Sequence, residues 1–155
     1  LWIWMAKKKI EPNTVVKFGL GFLFLAAGFW IFYYTKFFAS ADGKTSLNLF
    51  TFGWFVITFG ELCLSPIGMS AMTKLSPQKL QAVIMGMWFL ASAYGQYFAG
   101  LLGANIAEAS ENSSNLEKLN TYADGYEQLA IYALIAGILL IIISPFVKKL
   151  MQDVR

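Results

Sequence analysis

Histidine is absent from this sequence, and cysteine occurs once, at Cys63. The first absence excludes a histidine-ligated metal centre and a Ser-His-Asp triad. The second excludes an intrachain disulfide. Charge is scarce as well: 14% of the 155 residues are Asp, Glu, Lys or Arg, where a soluble domain carries about 25%. The net charge is only +3, with the lysines at segment ends, which argues against the basic footprint of a nucleic-acid-binding protein. Disorder requires low hydrophobicity, yet 57% of the residues are apolar and the mean hydropathy is +0.57. Period-two alternation is missing too, which disfavours a transmembrane β-barrel. What remains is a set of long apolar runs, the signature of an all-α membrane protein.

A membrane-crossing helix needs about 20 mostly apolar residues. Four segments meet this, at 15–37, 47–74, 79–107 and 127–148. Their apolar cores are 18–35, 47–73, 80–107 and 128–147, and the only charge within these cores is Glu61. The opening residues 1–6 are apolar and precede Lys7-Lys8-Lys9, the reverse of the order in a signal peptide. They read as the last turns of one further transmembrane helix, cut by the boundary of the sequence. Nine of the twelve basic residues fall in 6–17, 74–79 and the segment after 147. The segments around 37–46 and 108–127 hold Lys36, Lys44 and Lys118 against Asp42, Glu108, Glu111, Glu117, Asp124 and Glu127. The positive-inside rule therefore puts the first group, including the C-terminus, in the cytoplasm and the second outside. Lys7-Lys8-Lys9 reads as a cytoplasmic anchor, and Trp2, Trp4 and Trp30 as interface anchors. The polar segment 108–127 has room for a short helical piece, which the sequence leaves open.

Glu61 is the residue most informative about chemistry. It lies near the middle of its span, where an ionisable group costs roughly 2.5–3.5 kcal/mol on insertion scales, and its side chain is too short to reach the interface. It must face the bundle interior or a water-filled cavity. A carboxylate alternating between a dry setting and a cationic one can take up and release a proton. Ser65 lies one turn on and Gly68 two turns on, along the same face. Pro66 removes a backbone donor and predicts a kink that opens a cavity-facing helix. On the next span Trp88, Ser92 and Gln96 recur every four residues, and Trp88 is deep enough to wall a pocket. Ala91, Gly95, Ala99 and Gly103 form a small-xxx-small stripe that predicts close packing on a neighbouring helix. Cys63 reads as a small packing residue.

The string Gly60-Glu61-Leu62-Cys63-Leu64-Ser65-Pro66-Ile67-Gly68-Met69-Ser70, followed by Lys74-Leu75-Ser76-Pro77, Met85-Gly86-Met87-Trp88-Phe89-Leu90 and Ala99-Gly100, resembles the proton-dependent oligopeptide transporter family, a branch of the major facilitator superfamily. The resemblance covers about residues 7–150. It implies that 1–6 end transmembrane helix 8 and that the four spans are helices 9 to 12, part of the C-terminal six-helix half. It further implies a symporter importing dipeptides and tripeptides with protons by alternating access, with no cofactor beyond the coupling proton, in a bacterial inner membrane. Glu61 would meet the peptide amino group, and Ser65 and Trp88 would line the pocket. Gln96 departs from the family's usual Asn, so it is left out of the site. The proton-coupling Glu/Arg cluster, the cations for the peptide carboxylate and the partner acid of helix 7 belong to helices not in this sequence. The N-terminal transporter helices are thus implied partners beside the lipid bilayer. Alone, the chain is expected neither to transport nor to fold well.

Two other classes compete. A membrane scaffold or assembly subunit would use the small-residue stripe but has no need of a central Glu on a kinked helix. An intramembrane enzyme lacks a partner acid or base for Glu61. Among transporters, a carrier of another small substrate remains, and an uncompensated carboxylate disfavours anions.

Overall fold

A computed structural model describes residues 2–8, 10–110 and 114–150. Leu1, Lys9, Glu111, Asp153 and Arg155, which figure in the sequence reading, lie outside the described residues. The described chain is helical: α1 (Trp2–Lys7), α2 (Thr14–Tyr34), α3 (Leu47–Leu75), α4 (Gln81–Ser110) and α5 (Asn115–Leu150), with short 3-10 turns at Thr35–Phe38 and Gln78–Leu80. Among the described residues, the α2 region, α3 and α5 are long and apolar enough to cross a membrane. The fourth expected span is a 30-residue helix, α4, but it is less apolar. Its Gln96, its two tyrosines, its two serines and its glycines dilute the aliphatic content.

Helix α2 is the centre of the fold and packs along α5 on one side and α3 on the other. Glycine makes this possible. A Cβ on Gly60 would lie 2.8 Å from the Gly21 carbonyl oxygen, and one on Gly21 would lie 3.1 Å from that of Gly60. Gly28 meets the Gly53 carbonyl at 3.2 Å in the same sense, so two glycine pairs, seven residues apart on each helix, fix α2 and α3 antiparallel. Gly19 and Gly137 do the same for α2 and α5, at 3.1 and 3.0 Å. Without side chains at these points the backbones approach closely and gain dispersion contacts, the main source of helix association where lipid tails are as apolar as leucine.

The Ala91–Gly95–Ala99–Gly103 stripe, expected to pack closely on a neighbouring helix, meets no such neighbour among the described residues. Every residue of 91–100 is exposed, and a Cβ on Gly95 or Gly103 would meet nothing within 4 Å. Helix α4 touches α3 and α5 only sparsely. Between it and α5 lies a gap of about 190 Å³ lined by Ala99, Leu102, Gly103, Tyr122, Tyr126 and Leu129.

Polar contacts tie the two ends of α2. At its start Asn13 accepts a hydrogen bond from the Val16 N–H at 2.8 Å, which satisfies one orphan donor of the first turn. The Asn13 amide also donates to the buried Ser144 hydroxyl of α5 at 2.7 Å, and that hydroxyl lies 3.0 Å from the Asn13 carbonyl oxygen. Lys17, 6% exposed, pairs with Glu11. At the other end Phe32, 3% exposed, is enclosed by Phe50, Trp54 and Tyr126 with ring centroids 4.8–6.0 Å away. Lys36 donates to Asp124 of α5 at 2.9 Å and lies over the Tyr33 ring.

Two features bear on helix limits. The polar segment left open above is mostly helix: α5 starts at Asn115, behind a capping box in which Glu117 accepts from the Ser114 N–H at 2.8 Å and Ser114 accepts from the Glu117 N–H at 3.3 Å. At 36 residues, α5 is about 54 Å long and outruns a hydrocarbon core of about 30 Å. Its polar first turns therefore project beyond the core. The other feature is that α3 runs from Leu47 to Leu75 as one helix with Pro66 inside it. The loop between α2 and α3 turns at Gly43, whose φ of 74° belongs to the left-handed region, and a Cβ there would lie 2.8 Å from the Asn115 backbone.

Candidate functional site

Helix α3 has three distinct sides. Gly53, Ile57, Gly60 and Cys63 are buried, the glycines against α2. Phe52, Phe55, Phe59 and Leu62 are exposed, and Phe55 meets Phe59 edge-on at 5.0 Å. Glu61 and Ser65 are exposed too, but residues advance by about 100° around a helix, which puts them well away from Phe52 and Phe59. The carboxylate and the hydroxyl therefore share a strip beside the α2 contact with the exposed Trp54, which precedes Glu61 by seven residues.

The third expected site residue closes one end of this strip. Trp88 of α4 is half-buried and lies on Gly68, where a Cβ would come within 2.2 Å of Cη2 and 2.8 Å of Cζ2 and Cζ3 of its indole. Gly68 follows Ser65 by three residues and Glu61 by seven, so by helical rise the indole contact lies about 4.5 Å and about 10 Å along α3 from them. It is on the side of the α3–α4 turn. The three residues, distributed over two helices, thus belong to one stretch of the α3–α4 region, with an aromatic plane at one end and a carboxylate at the other.

The connection that brings α4 back is short and internally bonded. The Leu80 N–H donates to the Pro77 carbonyl at 2.8 Å, and the Gln81 side-chain amide donates to the Thr73 carbonyl at 3.1 Å. Ser92, expected to extend a polar stripe from Trp88, donates its hydroxyl to the Trp88 carbonyl at 3.0 Å. That bond occupies the Ser92 proton within its own helix. Gln96 is exposed on α4. Cys63 is buried in α3, as a packing residue would be. Sequence reasoning missed the Gly68–Trp88 contact. Both residues had been placed on the relevant helix faces, but periodicity within one helix says nothing about which residue of another helix arrives opposite.

Chemically, the strip offers one acid, one hydroxyl and one large π-face. Those groups suit a ligand with an ammonium at one end and an apolar or planar part at the other: the carboxylate pairs with the cation, and the indole covers the rest. Among the described residues, no group of three or more acidic, cysteine or histidine side chains is placed to hold a metal.

Residues 1–123 match the family described as PTR2, the POT family. Over 99% of its length the chain is 34% identical to a peptide transporter, YePEPT, of Yersinia enterocolitica and 34% identical to a di-/tripeptide transporter of Lactococcus lactis. Over 88% of its length it is 30% identical to dipeptide and tripeptide permease A of Chromobacterium violaceum. It spans 29%, 29% and 28% of the lengths of these relatives.

Proposed function

The chain belongs to the POT family, a family of membrane transporters rather than enzymes, and from that premise we propose that it forms part of a proton-coupled symporter importing dipeptides and tripeptides by alternating access. In this reading 1–6 end transmembrane helix 8, and 15–37, 47–74, 79–107 and 127–148 are helices 9 to 12, so that α4 crosses the bilayer with the other three. The basic ends, with the C-terminus, face the cytoplasm of a bacterial inner membrane. The remaining helices of the transporter cover the open sides of α3 and α4.

The observation that carries the proposal is that Glu61 and Ser65 share one side of α3, with Trp88 packed on Gly68 of the same helix further along. A carboxylate at mid-membrane facing lipid would cost roughly 2.5–3.5 kcal/mol. Facing a central cavity, it has an ammonium to bind. Glu61 receives the peptide amino group, Ser65 contributes a hydrogen bond, and Trp88 walls the pocket. Permeases and peptide transporters among the relatives make a short peptide, cationic at its amino end, the substrate class of choice.

The test is uptake of a labelled dipeptide by the full-length protein in proteoliposomes under an inward proton gradient, with Glu61→Gln beside wild type. Wild type should accumulate peptide, and Glu61→Gln should lose affinity by about tenfold or lose coupling to the gradient. Unchanged uptake by Glu61→Gln would remove Glu61 from the site. Absence of uptake by wild type would remove the peptide reading.

A further inference from the structure

We propose that Gly68 is a positioning residue: its missing side chain sets where the Trp88 indole lies at the end of the Glu61–Ser65 strip, and so sets peptide affinity. The inference rests on the substrate reading above and adds to it a residue that touches no substrate.

The geometry is specific. Gly68 is buried, and the atoms a Cβ would strike, Cη2 at 2.2 Å and Cζ2 and Cζ3 at 2.8 Å, all belong to the six-membered ring of the indole. That ring is a rigid plate, so no single atom can bend aside, and a methyl group there has to move the whole ring. Contacts of α4 with α3 are otherwise few. The Trp88 backbone is held in a continuous helix, where its carbonyl accepts from Ser92. A displaced indole therefore turns about its own side-chain torsions or carries α4 with it. Both movements change the distance between the aromatic end of the strip and the carboxylate, the dimension that a bound dipeptide has to match. Gly86, Gly95, Gly100 and Gly103 of α4 make no such contact, since a Cβ on any of them meets nothing within 4 Å.

The experiment is a double-mutant cycle in the full-length protein reconstituted in proteoliposomes, with uptake of alanyl-alanine as the readout. Gly68→Ala should raise KM by about tenfold while the maximal rate stays within about twofold, and in a Trp88→Phe background the same Ala should change KM by less than about twofold, because the shorter ring no longer reaches the new methyl. Thermal stabilisation by the dipeptide in detergent gives the same ratios where uptake is weak. If Gly68→Ala does not fold, recovery of folded, dipeptide-binding protein in Gly68→Ala/Trp88→Phe supports the coupling, and failure of both overturns it. An unchanged KM in Gly68→Ala overturns the proposal, as does a cost of similar size in both backgrounds, which would mean Gly68 acts through the α3 backbone rather than through Trp88. Wild type that takes up no dipeptide defeats the substrate reading itself, and the positioning role falls with it. That outcome is distinct from wild type that transports while the cycle is additive.

Discussion

A single added methyl group separates the glycines of this chain into two kinds. At Gly60 the obstacle is the Gly21 carbonyl oxygen, 2.8 Å from the would-be Cβ, and backbone cannot step aside. Gly60→Ala should therefore lower the stability of the full-length protein in detergent by about 1–3 kcal/mol, despite the better helix propensity of Ala. At Gly95 a Cβ would meet no atom of this chain within 4 Å, so Gly95→Ala in the full-length protein should cost less than Gly60→Ala. Denaturant titration of the two variants side by side checks the contrast, and equal destabilisation would contradict it. Within this chain the close approaches fall on glycines other than those of the α4 stripe, for a physical reason. Gly21, Gly28, Gly53 and Gly60 are seven apart within each helix, a spacing as regular as that of the α4 stripe, and no rule internal to one helix tells a covered glycine from an open one.

At the scale of the element, the helices begin where side chains satisfy backbone donors. Ser114 and Glu117 cap α5 reciprocally. Ser114→Ala should fray the first turns of α5, lowering local stability by about 0.5–2 kcal/mol. Hydrogen exchange should speed up over about 115–121 and stay slow around Gly137. Asn13 does double duty, capping α2 and bonding Ser144. Asn13→Ala removes the cap and strands a buried hydroxyl, an expected loss of about 1–3 kcal/mol. Asn13→Ala/Ser144→Ala should cost less than the sum of the two single changes, since the second change removes the group left without a partner. Additive losses in thermal unfolding would show that the two side chains do not act together. The boundary of α5 was not legible beforehand because segment 108–127 is polar, and apolar periodicity, the signal that marks a membrane helix, is silent there. The capping box Ser114-Asn115-Leu116-Glu117 was the available signal. Pro66 has no N–H to donate, and α3 continues through it as one helix that packs against α2.

At the scale of the whole molecule, the antiparallel glycine pairs place Lys74 and Lys79 at the same end as Lys17 and Lys148, and place Asp42, Lys36 and Asp124 at the other. The membrane orientation then becomes testable on single cysteines. In a cysteine-free background of the full-length protein, with Cys63→Ala among the changes, Lys79→Cys and Lys149→Cys should react with a membrane-impermeant maleimide only from the cytoplasmic side, and Asp42→Cys only from outside. Labelling of all three from one side would rule out the proposed topology.

The sequence by itself determined that the chain is helical and membrane-spanning and where its apolar runs lie, because each of these follows from composition and local spacing. Bilayer thickness sets the length of a run, and the cost of a mid-membrane charge isolates Glu61. Motif blocks from Gly60 to Gly100 carried the family. Only the tertiary structure decided that α2 is the central helix, that Gly21–Gly60, Gly28–Gly53 and Gly19–Gly137 are the points of closest approach, that α4 stands largely open, and that Trp88 rests on Gly68. Each of those is a relation between residues distant in the chain. Such relations are set by which helix surfaces fit together, and local periodicity does not encode them.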